Sequence, residues 1–173
     1  AARGKLAELR DLQRDALAEM RSLIFELRPA SLEQDGLMQA LRNHAAAVRG
    51  RTGLDVQVAC EPEEFARAPI GVEETLYRIA QEALHNVVKH ANATSARISL
   101  EQAGRLLRLQ VEDDGTGFDP ERVPRGHLGL SGMRQRAELA GGELQISSVL
   151  GNGTRIDALV PLPAEGEAGS RAD

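Results

Sequence analysis

Aromatic side chains make up only 2% of this 173-residue sequence, and tryptophan is absent. Platforms on which nucleobases could stack are therefore missing. The sequence also lacks any long lysine or arginine block, and its formal net charge is -5. It has no electrostatic footprint for gripping a phosphate backbone or an anionic lipid surface, and both features argue against direct nucleic-acid binding. A single cysteine, Cys60, leaves no partner for an internal disulfide. In the strand-like run Asp55-Val56-Gln57-Val58-Ala59-Cys60 it reads as a buried, reduced thiol of a cytosolic domain. No stretch approaches the roughly 20 apolar residues of a membrane span, and nothing resembles a signal peptide. The sequence starts without Met and in mid-pattern, as a piece of a longer protein does, so a membrane anchor of the parent would lie outside it. What is present, 42% hydrophobic residues, suffices for the core of one folded, soluble domain with an appended element.

The first organised segment predicts a long helix from about residue 3 to Leu27. Leu9, Leu12, Ala16, Met20, Leu23 and Leu27 step by three and four, and Leu6, Leu17 and Ile24 broaden the stripe. Such a stripe, opposite a face of Arg, Asp, Glu and Gln, suits packing against other helices in a bundle. Pro29 ends it by pushing the preceding residue out of helical geometry. A second helix is expected over about Leu37 to Val48, closed by Gly50-Arg51-Thr52-Gly53, with a strand around Val56 and Val58 after it. A mixed α/β unit follows. It has a helix from about Val72 to Ala91, a strand at Ala96–Leu100 and a turn at Gln102-Ala103-Gly104 into a second strand ending at Asp113. A Pro-, Gly- and charge-rich loop from about Phe118 to Gly129 leads to a short helix that stops at Gly141-Gly142. Strands near Leu144–Val149 and Thr154–Val160 meet at Gly151-Asn152-Gly153. The tail after Pro163 reads as disordered.

Chemistry-bearing residues concentrate at four places. On the long helix of this unit, Glu82 and Asn86 are four apart and Lys89 three further, so they line up at the edge of the apolar arc. A carboxylate and an amide oxygen are hard donors suited to Mg²⁺ where phosphate supplies the remaining ligands, and Lys89 would face phosphate oxygens. A solvated Glu…Lys face explains the same spacing, and His85 and His90 at the helix edge are as readily packed as functional. Leu107, Leu109, Val111 and Asp113 share one parity, so Asp113 continues the inward, apolar face of its strand. A carboxylate there is costly unless hydrogen-bonded. With Gly115 and Gly117 letting backbone approach a ligand, it suits an exocyclic amino group such as adenine's; an Asp-capped tight turn is the competing reading. Gly129-Leu130-Ser131-Gly132-Met133 opens the short helix, where free N–H groups and the helix dipole favour phosphate. Arg134 and Arg136 either assist or are solvated. Thr154 shares the inward parity of Ile156, Ala158 and Val160, which suggests a polar floor shared with Asp113, or simply a β-branched strand opener.

Taken together, Glu82-x-x-x-Asn86-x-x-Lys89-His90, Asp113-x-Gly115-x-Gly117-Phe118, Gly129-Leu130-x-Gly132-Met133 and Gly151-x-Gly153-Thr154 resemble, in this order, the nucleotide-binding boxes of the gyrase, Hsp90, histidine kinase and MutL superfamily. Leu27-Arg28-Pro29-x-x-Leu32 followed by Gly36-Leu37-x-x-Ala40-Leu41 resembles the histidine kinase branch that includes the nitrate and membrane-fluidity sensors. The resemblance covers about Leu23 to Pro161. It implies an α/β (α+β) two-layer sandwich of the Bergerat type, a mixed β-sheet covered by helices on one face, behind a long N-terminal helix. Residues 1–28 would then be the second helix of a dimerisation bundle, 29–163 the ATP-binding catalytic domain and 164–173 a tail.

By the same resemblance, Asp113 accepts a hydrogen bond from the adenine amino group, Gly115 and Gly117 shape the pocket edge, and Thr154 lines the base site. Asn86 ligates Mg²⁺, Glu82 positions or polarises the reacting groups, and Lys89 and His90 approach the phosphates. Gly129, Leu130, Gly132 and Met133 belong to the end of the ATP lid and its following helix, with 118–129 as the mobile lid. The implied reaction is transfer of the γ-phosphoryl group of ATP to a histidine, and the implied partners are a response regulator with a DNA-binding output domain and, in the full-length parent, a second copy. In such kinases the acceptor histidine precedes an acidic residue, and none of His44, His85, His90 or His127 does. The acceptor helix is expected to be absent, and self-phosphorylation with it. Two rivals share the boxes: an anti-sigma-factor serine kinase or other ATPase of the superfamily, and a nucleotide-binding module without turnover.

Overall fold

The computed structural model of the chain describes residues 30–62, 67–120 and 128–163. The expected bundle helix over 3–27, most of the lid and the tail after Pro163 lie outside them. The chain divides into two units, Ala1–Ala30 and Ser31–Asp173, and the second carries the elements that follow.

Helix α1 spans Ala30–Thr52 and is broken at Gly36, whose φ of 84° is open to glycine and strained for other residues. The expected start near Leu37 is thus the second arm of a kinked helix. Its end lies later than expected: Gly50, Arg51 and Thr52 stay helical, the Thr52 hydroxyl donates to the Val48 carbonyl at 2.8 Å, and Gly53, at φ 76°, donates its N–H to the Arg49 carbonyl. Strand β1 (Asp55–Glu61) leads to helix α2 (Ile70–Asn86), which passes into a π-helical turn at Val87–Ala91. Asn92 ends it at φ 50°, in the left-handed region that asparagine tolerates. Strands β2 (Ser95–Ala103) and β3 (Leu106–Asp113), helix α3 (Leu128–Leu139), and strands β4 (Glu143–Ser148) and β5 (Thr154–Pro161) complete the unit.

The five strands form one mixed sheet in the order β1-β2-β3-β5-β4, with β1 and β2 parallel and every other neighbour antiparallel. Two-residue periodicity divides its faces. One side carries Val56, Ala96, Ile98, Leu100, Leu107, Leu109, Val111, Ile156, Ala158 and Val160, all buried in one core with Leu37 and Leu41 of α1, Leu76, Ile79, Ala80, Ala83 and Leu84 of α2, and Met133 and Ala137 of α3. Each fully buried leucine or isoleucine contributes about 1.5–3 kcal/mol relative to exposure. The opposite face is polar: Asp157 takes hydrogen bonds from Arg108 and Gln110, Arg155 pairs with Glu112, and Arg97 bonds Gln57. The result is the expected two-layer sandwich with helices on one face.

An ion pair on a buried carboxylate ties α1 to α2. Glu73, 1% exposed, takes hydrogen bonds of 2.9 Å on both carboxylate oxygens from Arg67, which also donates to the Leu32 carbonyl ahead of the kink. The Arg67 side chain packs against Gly36, where any larger residue would press on it. Among the described residues no helix is long and apolar enough to cross a membrane.

Candidate functional site

Strand register builds the centre of the site. Val56 pairs with Ala96, Ala96 with Asp113, Asp113 with Thr154, and Thr154 with Ser148. All five belong to the parity facing the helices, so the row changes from apolar on β1 and β2 to polar on β3, β5 and β4. Asp113 and Thr154 therefore stand side by side, as their separate parities predict. Ser148 joins them. It is a site residue that none of the sequence motifs contains, although it continues Leu144 and Ile146 along β4 as Asp113 continues Val111.

Asp113 is half-buried and accepts the Gly115 N–H on Oδ1 at 2.8 Å. Burial pushes its carboxyl above the ordinary carboxylate value; the Gly115 and Thr154 N–H groups partly offset this, and the charge of Asp114 adds to the rise. Asp114 points away and clamps the chain entering β2. It accepts the Thr94 and Ser95 N–H groups at 2.8 and 2.9 Å and their hydroxyls at 2.6 and 3.0 Å. The Ser95 N–H, the Thr94 hydroxyl and the bonds beside them hold Asp114 well below the usual carboxylate range. Two adjacent acids in one loop are thus driven in opposite directions. Beyond them, Thr116 donates its N–H to the Ala91 carbonyl, accepts the Gly151 N–H, and so ties the loop to the π-turn and to the β4–β5 hairpin. Gly117, at φ 59°, lies so close to the Val149 carbonyl that a Cβ would collide with it, so its place requires glycine on both counts.

Glu82 and Asn86 lie half-buried at the edge of α2, with Lys89 and His90 exposed on the π-turn. The wider winding of that turn removes Lys89 from the straight line that regular helical spacing predicts. The start of α3 rests on the same two residues: a Cβ at Gly129 would strike the Glu82 carboxylate and come within 3.6 Å of the Asn86 amide nitrogen. Leu130 and Gly132 are half-buried there, Met133 sits in the core at 1% exposure, and Arg134 and Arg136 are exposed. The Asn86 amide nitrogen is buried without a hydrogen-bond partner among the described residues. An orphaned buried polar atom is costly, and rotation of the amide puts its oxygen in the same place. With Glu82 beside it, this hard-donor pair fits Mg²⁺, which takes few protein ligands when phosphate completes its shell. No group of three or more His, Cys, Asp or Glu side chains among the described residues forms a self-sufficient metal cage.

The structure therefore brings together Glu82, Asn86 and Gly129 at the α2–α3 junction, and Asp113, Gly115, Gly117 and Thr154 at the sheet end. Ala91 links the two groups through Thr116, with its Cβ packed against Gly115. A recess of about 540 Å³ also opens at this end of the sheet, lined by Gln57, Arg97 and Arg155 of the polar face as well as by Asp113 and Thr154. Glu82 and Asn86 do not line it.

The family model for "Histidine kinase-, DNA gyrase B-, and HSP90-like ATPase" matches residues 71–164. Over 92% of its length the chain is 35% identical to the sensor histidine kinase LiaS of Bacillus subtilis and 33% identical to the signal transduction histidine-protein kinase/phosphatase DegS of Brevibacillus brevis. It spans only 43% and 42% of those two proteins. The histidine kinase domain of the Erythrobacter litoralis EL346 blue-light activated histidine kinase superposes with a TM-score of 0.59 at 28% identity, covering 73% of this chain and 61% of that one. Fold and site thus define an ATP-binding catalytic domain of the sensor histidine kinase type. The chain belongs to the family of histidine kinase-, DNA gyrase B- and HSP90-like ATPases.

Proposed function

We propose that this domain holds ATP with Mg²⁺ and presents its γ-phosphoryl group to a histidine on a separate acceptor helix, for relay to a response regulator. The observation that carries the reading is the inward polar end of the sheet. A partly buried carboxylate, Asp113, stands beside Thr154 at the end of strands that are otherwise apolar on that face. This floor accepts a hydrogen-bond donor such as the adenine amino group. Glu82 and Asn86 would hold the metal end, where Mg²⁺ supplies charge neutralisation to the phosphates. Lys89 and His90, exposed on the adjoining turn, would approach the outer phosphate oxygens. Little covalent chemistry is asked of the protein, and positioning dominates such transfers. ATP as substrate places this part of the protein on the cytoplasmic side.

The finer assignments rest on sequence. Gly36-Leu37-x-x-Ala40-Leu41 supports the branch of nitrate and membrane-fluidity sensors, and the apolar stripe from Leu9 to Leu27 supports a dimer in the full-length parent. The test combines calorimetric titration with ATP and with GTP, both with Mg²⁺, and incubation with ATP and a separately prepared acceptor helix of the parent. ATP binds, GTP does not, and the acceptor histidine becomes phosphorylated. Equal binding of ATP and GTP would refute the role of Asp113, and ATP binding without transfer would leave a nucleotide-binding module only.

A further inference from the structure

We propose that Ser148 is a specificity-determining positioning residue. It turns the Thr154 hydroxyl so that the pocket floor presents hydrogen-bond acceptors alone, selecting a nucleotide whose base places an exocyclic amino group, not an oxo group, against it. The inference deepens the ATP reading above and rests on it.

Ser148 Oγ has three polar neighbours: the Phe118 N–H at 2.9 Å, the Gly153 carbonyl at 3.0 Å and the Thr154 hydroxyl at 3.0 Å. A hydroxyl offers one proton and two lone pairs. The Phe118 N–H only donates, so it occupies one lone pair. The Gly153 carbonyl only accepts, so it claims the proton. The remaining lone pair is open to Thr154, which must therefore be the donor. If Ser148 gave its proton to Thr154 instead, its oxygen would face the Gly153 oxygen lone pair to lone pair. Only the first arrangement satisfies all three contacts.

With its proton committed to Ser148, Thr154 has only lone pairs left for its other side. Its register partner Asp113 offers a carboxylate there. A base carrying an amino group at this edge meets acceptors, whereas one carrying an oxo group meets oxygen against oxygen. Asp113 supplies the larger share of the discrimination and Ser148 adds to it by removing the freedom of Thr154 to turn. One neutral hydrogen bond at stake corresponds to about a tenfold change in the ratio of affinities.

The experiment measures dissociation constants for ATP and inosine triphosphate on the chain and on Ser148→Ala, Ser148→Thr and Thr154→Val. Wild type prefers ATP; Ser148→Ala narrows the preference by about 5- to 10-fold, and Ser148→Thr, which keeps the hydroxyl, restores it. Thr154→Val produces a similar narrowing, and Ser148→Ala in that background narrows it no further. If Ser148→Ala weakens both nucleotides by one common factor, or changes neither while wild type discriminates, the inference is overturned and the ATP reading stands. If Ser148→Ala does not fold, an unchanged preference in Thr154→Val overturns it equally. A wild-type chain that does not distinguish the two nucleotides overturns both.

Discussion

Replacing Asp113 by Asn exchanges one carboxylate oxygen for an NH₂ group and reverses the character of one edge of the pocket. The Gly115 N–H, 2.8 Å from Oδ1, would hold the asparagine oxygen, because an amide nitrogen there would set donor against donor. The NH₂ group is then left in the place of the second carboxylate oxygen, towards the Thr154 N–H and the base. ATP loses a charge-assisted acceptor, about 1.5–3 kcal/mol, and its amino group is left facing a donor, a further 1–3 kcal/mol or so. Together about 2.5–6 kcal/mol corresponds to about 60- to 20,000-fold weaker binding. Stability should change much less. The folded-state carboxyl sits above its unfolded value because of burial, so its ionised form costs folding free energy at neutral pH; the neutral amide avoids that cost, while the Thr154 N–H that faced the carboxylate loses its acceptor. Calorimetry with ATP and thermal unfolding of the same samples therefore separate: binding collapses while the melting temperature stays nearly unchanged. Acidification gives a second readout, since wild type loses ATP affinity as pH falls towards the raised carboxyl value and the variant shows no such step. Binding within threefold of wild type, or a melting temperature that falls along with binding, would refute the reasoning.

Arg67→Met leaves the Glu73 carboxylate buried without its two hydrogen bonds. The loss should be about 2–3 kcal/mol, less than the roughly 3–5 of a fully buried pair, because half of the Arg67 side chain is already in water. Urea unfolding should show the midpoint falling by about 1–2 M, and an unshifted midpoint would mean that Glu73 finds water instead. His44 packs edge-on against Tyr77 with centroids 6.0 Å apart, and burial, then the charge of Arg51, lowers its pKa below 6.5. The unfolded chain then binds more protons at mildly acid pH, so the contribution of His44 to stability is intact above about pH 6.5 and declines as pH falls through that value. Thermal melts of His44→Phe between pH 7 and 5 should lack that decline, and an identical slope would assign it to other groups. Asn86→Ala should lose about tenfold in ATP affinity with Mg²⁺ present and little with EDTA; equal losses in both buffers would remove Asn86 from the metal site.

How far the site was legible in sequence depended on whether a local period governed it. Leu107, Leu109 and Val111 fix the facing of Asp113, and Ile156, Ala158 and Val160 that of Thr154, because a one-residue slip would expose an entire apolar face. The same period runs through Leu144 and Ile146 to Ser148, so the signal for Ser148 existed. It carried no weight until β4 was known to pair with β5, since a serine at a strand end is an ordinary turn residue. Asp114 had no such signal: its four bonds go to Thr94 and Ser95, some 20 residues away, a distance closed by the antiparallel return of β3 along β2, which sets Ala96 opposite Asp113. The π-turn after Asn86 was likewise hidden, because Val87 and Val88 continue an acceptable helical pattern. Ala91 is the last residue of that turn, so its carbonyl, like the final carbonyls of any helix, has no partner further along the helix. The Thr116 N–H takes it at 2.7 Å and so ties the loop after Asp113 to the helix that carries Asn86.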